Sequence, residues 1–174
     1  MLIDEFMPKC DFKETHNINT NAKRADVFRT LNKTDLCDSF VVRTLFFLRG
    51  FPTSKMKLSE IKKMRFEILG TNENEEILLG LAGKFWKIRR ELKKVNSNNF
   101  REFDRKGFAK ATWNFSLDEK ENETRLTTET RIECLGEECR KSFGFYWTFI
   151  QPFSGIIRME TLKAVKRNAE KDSS

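Results

Sequence analysis

The alternation of polar and apolar residues near the start of the chain predicts a half-buried strand. Over residues 13–18 every second side chain points to the same side, which groups Phe12, Glu14, His16 and Ile18 on one face. Glu14 and His16 therefore lie on the face that their apolar neighbours mark as buried. Two ionisable groups about 6–7 Å apart along a strand are close enough to interact.

Short helices are expected after this strand. Residues 19–21 interrupt the alternation and can cap a helix over residues 24–31. Asp35 or Asp38 can cap a second helix that runs to about residue 48.

From residue 66 onward the pattern is that of strands. Two apolar runs, residues 66–69 and 76–81, flank a polar stretch that has the composition of a hairpin turn. The elements predicted next are strands over residues 87–95, 109–117 and 125–135, and a short helix over residues 98–103. The last two strands alternate cleanly, which predicts an antiparallel sheet with one covered face and one face in water.

The C-terminal part, residues 138–171, is predicted to be a long helix. Phe143, Tyr146, Trp147 and Ile150 recur there at helical spacing. Pro152 is expected to kink or interrupt this helix. The order of elements predicts an α+β fold, with helices on one face of an antiparallel sheet.

Composition limits the class of protein. The chain has 174 residues, of which 39% are hydrophobic, enough for a single domain with its own core. No apolar run approaches the ~18–20 residues of a membrane span. Residues 1–10 lack the basic start and the apolar stretch of a signal peptide, so we expect a cytoplasmic location.

Charge and cysteine content add little specific chemistry. Lys plus Arg outnumber Asp plus Glu by 33 to 26, and the two signs are interspersed. The densest basic cluster surrounds Phe85 and Trp86. Of the four cysteines only one pair is closely spaced, and His16 is the one histidine. A zinc site needs about four such ligands, so we expect no metal site, and we expect no cofactor.

Four short strings resemble the SRPBCC superfamily, which includes START-like lipid-binding domains and polyketide cyclases. They are LGLAGKFW at residues 79–86, GFAKATWNF at 107–115, TRLTTETR at 124–131, and Tyr146-Trp147 followed by PFSGIIR at 152–158. The resemblance is strongest to uncharacterised prokaryotic members of the superfamily and covers about residues 11–170. Residues 55–64 look like an insertion relative to that family. This likeness implies one domain over residues 1–174.

The resemblance implies a helix-grip fold. About six to seven antiparallel strands would form a curved sheet around the C-terminal helix, with two short helices after the first strand and a cavity between sheet and helix. The residues expected to line that cavity are His16, Trp113, Phe115, Leu126, Thr128, Thr130, Ile132, Phe143, Tyr146, Trp147 and Ile150. Arg158 is expected either at the cavity mouth or in a salt bridge to a surface glutamate.

Binding or carriage of a small hydrophobic molecule is the function expected from this arrangement. Ligand cavities are mostly apolar with a few fixed polar groups. Here His16, Thr128, Thr130 and Tyr146 are the candidate polar groups.

Two alternatives remain open from the sequence. The first is an enzyme similar to polyketide cyclases and dehydrases, in which His16, Glu14 or Tyr146 moves a proton. Other catalytic motifs are missing from the sequence, which has no nucleophile elbow and no glycine-rich phosphate loop. The second is peripheral contact with a membrane surface, or with nucleic acid, through the basic region around Phe85 and Trp86. The interspersed acids disfavour nucleic acid.

Overall fold

The computed structural model describes residues 1–35, 65–120 and 123–172. The predicted helix after Asp35 or Asp38 and the insertion at residues 55–64 lie outside these ranges. In chain order the described elements are α1 (Leu2–Phe6), β1 (Phe12–Thr20), α2 (Arg24–Lys33), β2 (Glu67–Asn72), β3 (Glu76–Lys84), β4 (Glu91–Lys93), β5 (Ala109–Lys120), β6 (Glu123–Cys134) and α3 (Glu137–Asp172). This order confirms the predicted α+β fold class.

The strands form one curved antiparallel sheet in the order β1-β6-β5-β3, and β2 and β4 share the far edge of β3. The register confirms the predicted alternation. His16 lies opposite Thr128, and Trp113 lies between Thr130 on β6 and Leu79 on β3. These residues share the inner face, against which α3 packs in a helix-grip arrangement.

Helix α3 has 36 residues and runs continuously through Pro152. Of the two predicted effects of this proline, a kink or an interruption, the interruption is wrong. A proline removes one N–H donor from the ladder, but buried side chains on both sides of it, Phe143 before and Ile157, Leu162 and Val165 after, hold the helix on the sheet. None of the described helices is long and apolar enough to cross a bilayer.

The outer face of the sheet was predicted to be exposed to solvent, but part of it is covered by other segments of the chain. Over β3 and β5 it carries a second core that includes Ile3 and Phe6 of α1, Leu78 of β3, and Val95 and Phe100 from the loop before β5. The sequence pattern did not reveal this cover because Thr112 and Asn114, both buried on this face, are polar residues.

Three local predictions need correction. Helix α2 begins after Lys23 with no side-chain cap, so residues 19–21 do not cap it. The predicted helix at residues 98–103 is a turn, in which Asn96 Oδ1 accepts the backbone N–H groups of Asn98 and Asn99. The predicted strand at 87–95 shrinks to β4, since the polar residues before it, together with the fully exposed Ile88, bury no face.

Candidate functional site

A pocket of about 120 Å³ lies between the inner face of the sheet and α3. Its walls are predominantly apolar and aromatic. The strands and their flanking loops contribute Phe66, Leu81, Phe85, Ala111, Thr112, Trp113, Thr130 and Ile132. The helix contributes Phe143, Tyr146, Trp147, Ile150, Ser154, Ile157 and Arg158.

Phe143 is the centre of the aromatic cluster beside this pocket. It is almost completely buried. Its ring centroid lies 5.7 Å from those of Phe85 and Tyr146 and 5.8 Å from that of Trp147. Rings that contact one another in this way restrict each other's rotamers, so this part of the wall is preorganised.

The Thr130 hydroxyl is the one uncharged polar group of the wall that is buried and has no hydrogen-bond partner among the described residues. Buried hydroxyls are normally satisfied, because desolvation without a new hydrogen bond costs roughly 1–3 kcal/mol. Because Thr130 is a residue of the pocket wall, a rotation about its Cα–Cβ bond can turn this buried hydroxyl toward a bound molecule.

Arg158 supplies a permanent positive charge to the same wall. Its guanidinium lies 5.0 Å from the centroid of the Trp113 ring, and its Nε lies 3.5 Å from Glu14 Oε2. Both charged side chains are largely buried. The structure therefore combines the two predicted alternatives, since Arg158 borders the pocket and also pairs with a glutamate, although a buried one.

Glu14 and His16 lie beside the pocket but do not line it. Glu14 Oε1 is 2.8 Å from His16 Nε2, and both residues face a shallow surface groove between β1 and α3. Gly155 permits this approach of strand and helix, because a Cβ there would lie 3.1 Å from Glu14 Oε1.

The position of the pocket along the strands explains which predicted residues reach it. It lies over two cross-strand rows, Leu81–Ala111–Ile132 and Leu79–Trp113–Thr130. The predicted residues in its wall are Trp113, Thr130, Ile132, Phe143, Tyr146, Trp147, Ile150 and Arg158.

Four predicted cavity residues lie outside the wall. His16, Phe115 and Thr128 share the next cross-strand row, and Leu126 the row after it. Phe115 and Leu126 instead pack in the core with the second half of α3. The alternation of side chains along the strands therefore predicted the correct face of the sheet for all four residues, but it did not predict how far from the pocket they lie.

Other wall residues were missed by the sequence analysis. Leu81 and Ala111 lie at positions of their strands that face inward, and Ser154 and Ile157 continue the inner side of α3. The alternation along the strands and the spacing along the helix would have been enough to predict these four residues. Phe66 and Phe85 lie outside the regular strands, and no periodic signal marks them. Thr112 also borders the pocket, although its hydroxyl points to the outer face, where it donates a hydrogen bond to Met7 Sδ.

The basic region around Phe85 and Trp86 is partly internal. Phe85 lines the pocket, and the Trp86 ring packs against Phe143 with a centroid distance of 5.5 Å. Trp86 Nε1 also donates a hydrogen bond to Ser142 Oγ. Both rings are thus already engaged within the protein.

No family model matches this sequence, and no curated protein matches it. The solved structures that align with most of the chain include the following two. TTHA0849 from Thermus thermophilus is 11% identical, with coverage of 94% of this chain and 100% of that chain and a TM-score of 0.39. CalU16 from Micromonospora echinospora is 12% identical, and the alignment covers 91% of this chain and 84% of that chain with a TM-score of 0.33. Likeness at this level does not bear on function.

Proposed function

We propose that the protein binds a small, mostly apolar ligand in the pocket between the sheet and α3. The observation that carries this proposal is the buried, unpartnered Thr130 hydroxyl in a mostly aromatic and aliphatic wall. Burial of apolar ligand surface would supply most of the affinity, at ~25 cal/mol per Å². A hydrogen bond to Thr130 would orient the ligand. Membership of the SRPBCC superfamily is part of the same proposal.

The volume of the pocket limits the size of that ligand. A cavity of ~150 Å³ holds benzene, whereas drug-sized ligands occupy ~300–1,000 Å³. At about 120 Å³ the pocket suits one aromatic ring or a short aliphatic chain. A sterol or a phospholipid acyl chain would need a larger space.

The polar groups of the wall favour a ligand that carries an oxygen acceptor. The Thr130 hydroxyl can donate a hydrogen bond, and the Arg158 guanidinium donates only. Because Glu14 already balances the charge of Arg158, a neutral hydroxyl, ketone or phenol fits the electrostatics better than a free anion does.

Ligand-dependent thermal unfolding tests the proposal. Single-ring phenols and aryl ketones should raise Tm in a saturable manner, since a ligand at 100-fold its Kd adds roughly 2.7 kcal/mol of stability. A sterol of equal solubility should not. A panel in which no single-ring compound raises Tm would contradict the proposal.

Two variants locate the site. Ala111→Leu should fill the pocket and abolish the ligand-induced rise in Tm. Thr130→Val, which is nearly isosteric, should weaken the binding of oxygen-bearing ligands about tenfold, the loss of roughly one hydrogen bond. Thr127→Val, on the outer face of the same strand, is the matched control and should bind like the wild type.

Proton-transfer chemistry has less support. Of its three candidates only Tyr146 borders the pocket, while Glu14 and His16 face the surface groove. The basic-surface alternative is weakened in the same way, because the half-buried rings of Phe85 and Trp86 already pack against Phe143.

A further inference from the structure

Helix α3 is apolar on two sides. Residues 142–157 contain no charged side chain, and one side of this segment faces the pocket and the core. The other side exposes four large apolar residues, here called the aromatic stripe: Phe145 (72% exposed), Phe149 (59%), Phe153 (47%) and Ile156 (45%). Among the described residues seven large apolar side chains are exposed, and the stripe holds four of them.

Opposite charges flank the aromatic stripe in a repeated order. Glu138 and Lys141 precede it, and Glu160 and Lys163 follow it. At 100° per residue these four charges and the stripe fall within an arc of about 120° of the helix surface. The face therefore has the sequence acid, base, four apolar residues, acid, base.

This order is self-complementary when the helix meets a copy of itself in the antiparallel direction. A two-fold axis between residues 150 and 151 sets Lys141 against the partner's Glu160 and Glu138 against the partner's Lys163. The same axis sets Phe145 against the partner's Ile156. A parallel arrangement would set each charge against its own kind.

We propose that a second copy of this chain covers the aromatic stripe through antiparallel pairing of two α3 helices. The apolar side chains, with the Phe145 and Phe149 rings 5.0 Å apart, would supply the affinity. The flanking charges would set direction and register. Because the pocket lies on the opposite side of α3, this dimer leaves the proposed ligand site accessible and stands independently of it.

The existing ion pairs do not oppose this arrangement. Lys141 Nζ lies 2.8 Å from Glu137 Oε1, and Lys163 Nζ lies 3.2 Å from Glu160 Oε1. Both lysines are exposed, and such surface pairs contribute little free energy. The lysines can therefore also face carboxylates of a second chain.

A second copy fits this face better than a lipid bilayer. Membrane-surface helices usually carry lysine and arginine beside their apolar face. Here each end of the stripe carries one acid and one base, Glu138 with Lys141 and Glu160 with Lys163. An anionic membrane would attract the two lysines but repel the two carboxylates, whereas an antiparallel second copy pairs all four charges.

Sedimentation equilibrium over a concentration series tests the surface. The wild type should show a reversible monomer–dimer equilibrium, and the Phe145→Ser/Phe149→Ser variant should remain monomeric. Ile88→Ser removes an even more exposed apolar side chain outside the stripe and should dimerise like the wild type. A wild type that is monomeric throughout, or a dimer that the stripe variant does not weaken, overturns the proposal.

Charge reversal tests the direction of pairing. Lys141→Glu and Glu160→Lys should each raise the dimer Kd about tenfold, because each creates two like-charge contacts across the axis. The double variant should recover the wild-type Kd. Single variants without effect would contradict antiparallel pairing. A monomer that co-sediments with vesicles of phosphatidylcholine and phosphatidylserine would assign the stripe to a membrane instead.

Discussion

Two inward threonines of β6 show how one residue type takes two roles. Thr128 Oγ1 accepts a hydrogen bond from Trp113 Nε1 at 2.7 Å and donates one to the Asn114 carbonyl at 3.0 Å. Thr130, one row closer to the pocket, has no hydrogen-bond partner for its hydroxyl among the described residues. Thr128 therefore fixes the tryptophan of the wall, while the Thr130 hydroxyl makes no such bond and is the group proposed to orient a ligand.

Substitution by valine should separate these roles. Thr128→Val should lower the free energy of unfolding by roughly 1–3 kcal/mol, because the buried Trp113 N–H loses its acceptor. Thr130→Val should change it by less than about 1 kcal/mol, since no intramolecular hydrogen bond is lost. Urea unfolding of both variants measures the difference. Equal losses would show that the Thr130 hydroxyl has a structural partner.

At the scale of elements, α1 depends on the sheet for its existence. A helix of five residues is too short to be stable alone. Glu76 of β3 holds its first turn, since its Oε2 accepts the Leu2 N–H at 2.8 Å and its Oε1 accepts the Asn114 side-chain amide at 2.9 Å. Ile3 and Phe6 then cover the outer face of the sheet.

Removal of the Glu76 carboxylate should release α1. Glu76→Ala should lower the free energy of unfolding by roughly 2–3 kcal/mol, because Asn114 and the first amides of α1 lose a buried acceptor. Amide hydrogen exchange over residues 2–7 should accelerate more than exchange in β5. The adjacent Glu75→Ala, at an exposed side chain, is the control and should do neither. Unchanged exchange in α1 after Glu76→Ala would contradict this account.

At the scale of the whole molecule, an ionic network ties α1, β1 and β6 together on the outer face. Arg131 bonds to Asp4 at 2.7 Å and to Glu129 at 2.6 Å, and Lys13 lies 3.0 Å from Glu129. The hydrogen bond from Arg131 lowers the pKa of Asp4. Burial alone would raise the pKa of Glu129, but hydrogen bonds from Lys13 and Arg131 outweigh it and lower the pKa.

This network should make the fold sensitive to acid. Because both carboxyl pKa values are lowered in the folded state, their stabilising effect is complete above the ordinary values of 3.8 and 4.5 and is lost as pH falls through the folded values. The free energy of unfolding should therefore decline below about pH 4.5. Glu129→Gln should show a shallower decline, measured by urea unfolding at several pH values. Parallel curves for the two proteins would contradict this role.

The predictions that held depend on local periodicity. The inward positions of β5 and β6, such as Trp113 and Thr130, follow from alternation because a strand repeats every two residues. The predictions that failed depend on contacts between distant segments. The polar residues Thr112 and Asn114 suggest solvent-exposed positions, but both are buried, and they bond to Met7, the residue after α1, and to Glu76 of β3. Periodicity contains no information about such contacts.

The sequence by itself determined the order of the long strands and the C-terminal helix, and the face that each of their residues joins, because hydrophobic periodicity encodes both; it did not predict the short helix α1. The sequence also placed the aromatic side chains that separate sheet from helix. Only the tertiary structure decided which rows of the sheet border the pocket, that Glu14 pairs with Arg158, and that Phe145 and Phe149 remain uncovered. These features depend on where residues far apart in the chain meet, and that is set by strand register and by the packing of α3.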